Sequence, residues 1–213
     1  KLYFMLGLPT ETDEDVIGIA QLAEKVYWTW KSYAVNKSRG LRITVSTSFF
    51  VPKPFTPFQW EAQITREEYH RRVDLLRNSI KNKSIQYNWH EMETSYIEAV
   101  LARGDRRLGK LLETVWRKGA RLDSWSEYFD FQRWMEAFAE TGIDPDFYAL
   151  RERSKDELLP WSMIDIGVHP AYLWREREQA YRSVITPDCR VKCMGCGANC
   201  LLPKGVFCDE DRR

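Results

Sequence analysis

What is scarce in this chain limits it before any motif does. Cysteine is absent until Cys189, and all five cysteines fall in the tail, so no disulfide framework can staple the body of the molecule. No apolar run approaches the roughly 20 residues that cross a bilayer, and the first residues lack a basic-then-apolar targeting pattern. Charge of one sign is missing too: 32 basic and 31 acidic side chains leave a formal net charge of +1. That balance excludes a global electrostatic pull toward nucleic acid or anionic membrane, and any basic patch has to be local. Histidine occurs only as His70, His90 and His169. His90 with Glu91 and Glu93 could bind a metal or move protons, but a solvated turn is the simpler reading, and the other two have no visible partner. At 213 residues the chain can bury a substantial core. It reads as soluble and cytoplasmic, with thiols kept reduced.

What is present begins with the apolar run LYFMLGLP, of strand length and ended by Gly7 and Pro9, which predicts a strand buried on both faces. Because it starts directly after Lys1 and would leave an unpaired sheet edge, the chain is expected to be the carboxyl-terminal piece of a longer protein. Thr12 caps a helix with Asp13, Glu14 and Asp15 in its first turn, where the dipole favours negative charge. Val16, Ile19, Ala20, Ala23, Val26, Tyr27 and Trp30 give that helix one apolar stripe. LRITVSTSFFVP, rich in β-branched and aromatic residues, predicts a second strand. Strand, helix and strand in this order form a βαβ unit and so a parallel sheet.

The second strand runs into VPKPFTPFQW, where Pro52, Pro54 and Pro57 prevent ladder pairing. This extended loop sits at the carboxyl end of a strand, where α/β folds build their sites. Thr65 and Glu68 have capping-box spacing for a charged helix to about residue 82. SIQYNW predicts a short third strand. Helices are then expected over 95–103, from Asp105 as its cap to about residue 118, from Ser124 with Glu127 as its box partner, and from Pro170 to about residue 182, with Asp144-Pro145 opening a short one. Arg103-Gly-Asp-Arg-Arg107 could hold phosphate through its arginines or simply be a salt-bridged helix junction. Asp165, a carboxylate in an apolar stretch, suits a cap or a buried hydrogen bond.

The tail CRVKCMGCGANCLLPKGVFC places Cys189, Cys193, Cys196, Cys200 and Cys208 at gaps short enough to converge on one metal. Thiolates in a tetrahedral array suit structural zinc, and the same ligands suit an auxiliary iron-sulfur cluster. Gly195 and Gly197 would let backbone N–H groups face the sulfurs. The ligands are expected to be Cys189, Cys193, Cys196 and either Cys200 or Cys208; free thiols are the plain alternative.

The segments GLPTET, VSTSFFVPKPFTPFQW, ARGDRRLG, LPWSMIDIGV and TPDCRVKCMGCGANC, in this order and spread over nearly the whole chain, resemble the second half of radical SAM proteins. The resemblance is to the large bacterial members that carry a cobalamin-binding-like region before the barrel. It implies an α/β fold: 1–93 as the end of a partial (β/α)6 barrel, 94–184 as a mainly helical extension, and 185–213 as a Cys-rich metal knuckle. It also implies SAM across the strand ends, with Gly7 and Glu11 at one strand end, Ser46, Ser48 and Val51 near adenine and ribose, and the loop 52–60 closing the substrate side.

In the family the cysteines of the SAM-cleaving 4Fe–4S cluster follow the first barrel strand. They cannot lie in residues 1–188, so the chain alone is expected not to cleave SAM. Cys189, Cys193 and Cys196 repeat the CxxxCxxC spacing of that triad. Yet Gly195 stands where the family has an aromatic residue, and no barrel follows, so the tail reads as a separate site for zinc or an auxiliary cluster. The function implied is 5′-deoxyadenosyl radical chemistry by the intact protein, on an RNA or a ribosome-associated protein, with the missing amino-terminal part as partner. The alternative is a non-catalytic helical module whose zinc knuckle recognises RNA or protein.

Overall fold

The computed structural model describes residues 1–198. The chain forms β1 (Leu2–Leu6), α1 (Asp13–Tyr33), β2 (Ile43–Phe49), α2 (Arg66–Ser79), β3 (Ile85–Trp89), α3 (Met92–Ala102), α4 (Leu108–Arg117), α5 (Phe131–Thr141), α6 (Pro145–Ala149) and α7 (Pro170–Tyr181). The strands make one parallel sheet in the order β1-β2-β3. Parallel neighbours need long crossovers, and α1 and α2 supply them. No closure of the sheet into a barrel occurs among the described residues.

Local chemistry sets the helix ends. Thr12 accepts from the Asp15 amide while the Asp15 carboxylate accepts from the Thr12 amide, a reciprocal box that satisfies two orphan donors. Thr65 caps α2 through the Glu68 amide at 3.3 Å. Glu68 does not complete a box there, because its carboxylate is taken by Arg71 and Arg72.

The apolar face of the sheet carries Ile43, Val45, Phe49 and Ile85, and packs against Val16, Ile19 and Ala23 of α1 and Tyr69, Val73 and Leu76 of α2. Alternation along β2 is strict, with Ile43, Val45, Thr47 and Phe49 buried and the residues between them half-buried. A second core joins α3, α4, α5 and α6 around Val100, Leu111, Trp134 and Phe138. A third, smaller one unites Trp60, Leu159, Trp161 and Leu173.

Several further expectations change. β1 is not buried on both faces: Tyr3 and Met5 are 71% and 50% exposed, because nothing in residues 1–198 covers that side of the sheet. The third strand is followed by a helix that begins at Met92 rather than at residue 95, and Asp105 lies in the turn before α4 rather than capping it. No helix starts at Ser124. Leu122 adopts left-handed backbone (φ 57), Asp123 accepts from the Trp134 indole at 2.8 Å, and the helix waits for Asp130, whose carboxylate caps the Arg133 amide.

The largest fully buried side chain is that of Arg103. It donates to the carbonyl of Ala149 (3.0 Å), the last residue of α6, and to that of Arg151 (3.1 Å) just beyond it, while Arg153 donates back to the Arg103 carbonyl at 3.3 Å. Burial, reinforced by Arg153 and Arg151, pushes the Arg103 guanidinium down to about 9. Truncating it orphans the Arg151 carbonyl, takes one of two donors from Ala149 O and opens a cavity. Arg103→Ala is expected to lower unfolding free energy by about 2–4 kcal/mol, read from the urea midpoint at unchanged slope; a midpoint within error of the parent would show that this arginine does not hold the helices together.

Candidate functional site

The carboxyl ends of the three strands, and the loops that leave them, hold most of the residues singled out in the sequence. β1 ends on Leu6 and turns at Gly7, whose φ of +94 would strain any side chain; a Cβ there would also lie 2.9 Å from Ile64 Cδ1. The Gly7 amide donates to Glu11 Oε2 at 2.9 Å. That same carboxylate, on a side chain only 6% exposed, pairs with Arg72, which also binds Glu68 at 2.8 Å. Arg71 extends the network from Glu68 to Asp13. Glu11 is therefore engaged in fixing the Gly7 turn, and its carboxylate has both partners inside the chain.

Ser46 and Ser48 lie on the uncovered face of the sheet. Register pairs Ser46 with Tyr3 and Asn88, Ser48 with Met5, and Thr44 with Gln86, so these residues share one side. The face is largely polar where the opposite one is largely apolar. Tyr3, Met5, Gln86 and Asn88 were missed in the sequence, although two-residue alternation in SIQYNW and LYFML carries the signal. Val51 differs: at 8% exposure it belongs to the helical core and presents no side chain to the face. His90 extends β3 through its amide, which donates to Thr47 O at 3.0 Å, and its carbonyl accepts from the Tyr69 hydroxyl at 3.1 Å.

The proline-rich loop is locked from below. Gln59 Oε1 accepts from the Phe55 amide at 3.0 Å and from the Trp161 indole at 2.7 Å. Glu61 accepts from Tyr181 at 2.9 Å and pairs with Arg177, which reaches Glu152. Burial and that carboxylate hold the Tyr181 phenol up at about 12. Gln63 donates to the carbonyls of Phe50 (3.1 Å) and Ser95 (3.3 Å). Between this loop and the segment after residue 154 lies a cleft of about 240 Å³, lined by Phe55, Trp60, Leu159, Trp161 and Leu173 with Lys155, Glu157 and Asp165. The Trp60 indole nitrogen is buried there without a hydrogen-bond partner.

The other candidates resolve into structural roles. In the Arg103 turn, Arg103 is buried and Arg107 is bound to Asp105 at 2.6 Å, so the junction is salt-bridged and offers no cradle for phosphate. Asp165 accepts from the Gly167 amide at 2.7 Å in an exposed turn. His169 stands at the start of α7 and donates its amide to Cys196 O at 2.8 Å.

That contact docks the described part of the tail on α7, with Arg175 donating to Met194 O. Gly197 packs so closely that a Cβ would lie 2.7 Å from Gly167 O and from the His169 ring. Cys189 and Cys193 are exposed and Cys196 is half-buried. Among the described residues no three such ligands converge on a common point. Cys200 and Cys208, which complete the expected ligand set, lie outside those residues.

No family model and no solved structure matches the chain. An uncharacterized protein of Methanocaldococcus jannaschii is 30% identical over 113 residues, which cover 53% of this chain and 23% of that protein. The chain thus spans less than a quarter of the length of the curated relative it matches. No helix among the described residues is long and apolar enough to cross a membrane.

The acidic network at Gly7 gives a pH prediction. Two arginines hold the Glu68 carboxyl down at about 2, against an ordinary 4.5. A depressed carboxyl stabilises the fold fully above its unfolded value and loses that contribution as pH falls toward the folded one. Melting temperature should therefore fall between about pH 4.5 and 2. Glu68→Gln should flatten that limb, and an unchanged limb would assign the acid transition to other groups.

Proposed function

We propose that this chain is the carboxyl-terminal portion of a radical SAM enzyme, supplying the last strands of a partial barrel, a helical extension and a metal-binding tail. The observation that carries this reading is the uncovered polar face of a parallel sheet, with Ser46 and Ser48 beside the positive-φ turn at Gly7. A ligand with polar edges fits such a face at the carboxyl ends of strands. Two further features agree with an upstream half. β1 has a strand neighbour on one side only among the described residues, and Leu22, Val26 and Tyr33 leave an apolar stripe of α1 exposed at 44%, 37% and 82%. The length of the archaeal relative leaves room for that half.

In this reading Ser46 and Ser48 contact adenine and ribose, and the Gly7 backbone closes the end of the site. Glu11 acts by positioning that turn. The proline-rich loop limits water on the substrate side. When bound, SAM and the 4Fe–4S cluster supply a 5′-deoxyadenosyl radical able to abstract hydrogen, and the cluster's cysteines belong to sequence before this segment. The tail cysteines hold zinc or an auxiliary cluster.

The test is anaerobic reconstitution of the intact protein. It should cleave SAM to 5′-deoxyadenosine, and Ser48→Leu should weaken SAM binding about tenfold, or about 1.4 kcal/mol, by equilibrium dialysis. Residues 1–213 alone should yield no 5′-deoxyadenosine. Turnover by that segment, or an upstream sequence without CxxxCxxC, would overturn the assignment. For the tail, metal analysis should find one zinc or an iron-sulfide signal that disappears in Cys193→Ser/Cys196→Ser. Full metal content in that double variant would move the site elsewhere.

A further inference from the structure

Although the net charge is near zero, its distribution is not even. No acidic residue occurs from Lys25 to Trp60, and none from Leu75 to His90. Parallel pairing gathers parts of both stretches at one place, because the loops that precede β2 and β3 lie together at the amino ends of the strands. The Ile43 amide donates to Ser84 O at 2.9 Å, joining the two loops directly. Lys37, Arg39 and Arg42 stand on the first and Lys81 and Lys83 on the second, all exposed. Lys25 and Lys31 lie on the last turns of α1, which ends at the same pole. Among the described residues none of these seven forms an ion pair with a carboxylate.

The nearby acids are already engaged. Glu24 accepts from the Asn82 amide group at 3.4 Å, and Asp74 pairs with Arg77 at 3.1 Å. The loops are built rather than loose. Asn36 Oδ1 accepts from the Ser38 amide and hydroxyl, Gly40 turns with φ +66, and Asn82 Oδ1 accepts from the Ser84 amide. One turn beyond Glu24 on α1, Trp28 is 53% exposed, with Lys31 Nζ 4.5 Å from its ring centroid. An exposed indole among unpaired cations matches what single-stranded nucleic acid needs: cations for phosphates and a flat ring for an unstacked base.

We infer that the amino-end pole of the sheet, formed by Trp28, Lys37, Arg39, Arg42, Lys81 and Lys83, is a docking surface for single-stranded nucleic acid. An acidic peptide or an anionic lipid surface would be drawn by the same charges, and the test below sets both against the oligonucleotides. The surface lies about 20 Å, the length of the seven-residue β2, from the carboxyl ends. It anchors a strand rather than reacting with it, and it stands independently of the reading of those ends.

The test is fluorescence anisotropy of the full chain with labelled 20-nucleotide oligouridylate and oligothymidylate across a salt series. Five phosphate contacts on a single strand give a slope of log K against log salt of about −3.5. Arg39→Glu/Lys81→Glu/Lys83→Glu should weaken binding at least 30-fold. Arg106→Glu/Lys110→Glu/Arg182→Glu, with the same change in net charge away from the pole, should retain it within threefold. Trp28→Ala should weaken binding five- to tenfold with the salt slope unchanged. Equal loss in the two triple variants, no effect of Trp28→Ala, or tighter binding to phosphatidylserine vesicles or polyglutamate than to either oligonucleotide would overturn the proposal.

Discussion

The stretch from Gln59 to Gln63 holds the molecule together. Gln59, Glu61 and Gln63 are all nearly fully buried. Burying a polar side chain costs several kcal/mol unless its hydrogen bonds are made, so this run is tolerable only where its partners are in place. Those partners sit on separate parts of the chain: Trp161 for Gln59, Arg177 and Tyr181 of α7 for Glu61, Phe50 and Ser95 for Gln63. Backbone bonds add to the lock, with the Gln63 amide reaching Ala149 O and the Arg153 amide reaching Trp60 O. Sheet, helical cluster and α7 are thus placed relative to one another by directional bonds through one short segment. Apolar contact alone would allow them to slide.

This dependence explains why the proline-rich loop keeps an extended path. Pro52, Pro54 and Pro57 remove donors that could otherwise pair with a neighbouring strand. Gln59 then supplies the acceptor that the Phe55 amide needs, at a residue with left-handed backbone (φ 60). The loop leaves the carboxyl end of β2 and is held there by Trp161 through Gln59 and by Phe50 and Ser95 through Gln63.

Much of the fold was legible in the sequence. The strands, both crossover helices, the Thr12 and Thr65 caps and the Asp144-Pro145 start follow from short-range chemistry that acts within four residues. What escaped depends on distant partners. Ser124 and Glu127 have good cap spacing, but the helix start was moved to Asp130 by the left-handed Leu122 and by Trp134 claiming Asp123. Glu11 looked free to meet a ligand because Arg72, 61 residues away, cannot be assigned to it from spacing. Val51 follows the strand pattern yet turns into the helical core, since the strand ends at Phe49. The two-sided burial expected of β1 fails because nothing in residues 1–198 packs on the face that carries Tyr3 and Met5. The charged pole was hidden by whole-chain arithmetic, because acids in the helical part cancel the cations gathered around the strand starts.

The uncovered sheet face carries one oxidisable atom, the thioether of Met5, half exposed beside Ser48. Met163 lies 88% exposed in the segment after the second core. Peroxide converts an accessible thioether to a sulfoxide, whereas a covered one is spared. The molecule therefore carries its own chemical footprint: the ratio of Met5 to Met163 sulfoxide falls when anything closes over the strands, and Met163 supplies the internal reference for reagent dose.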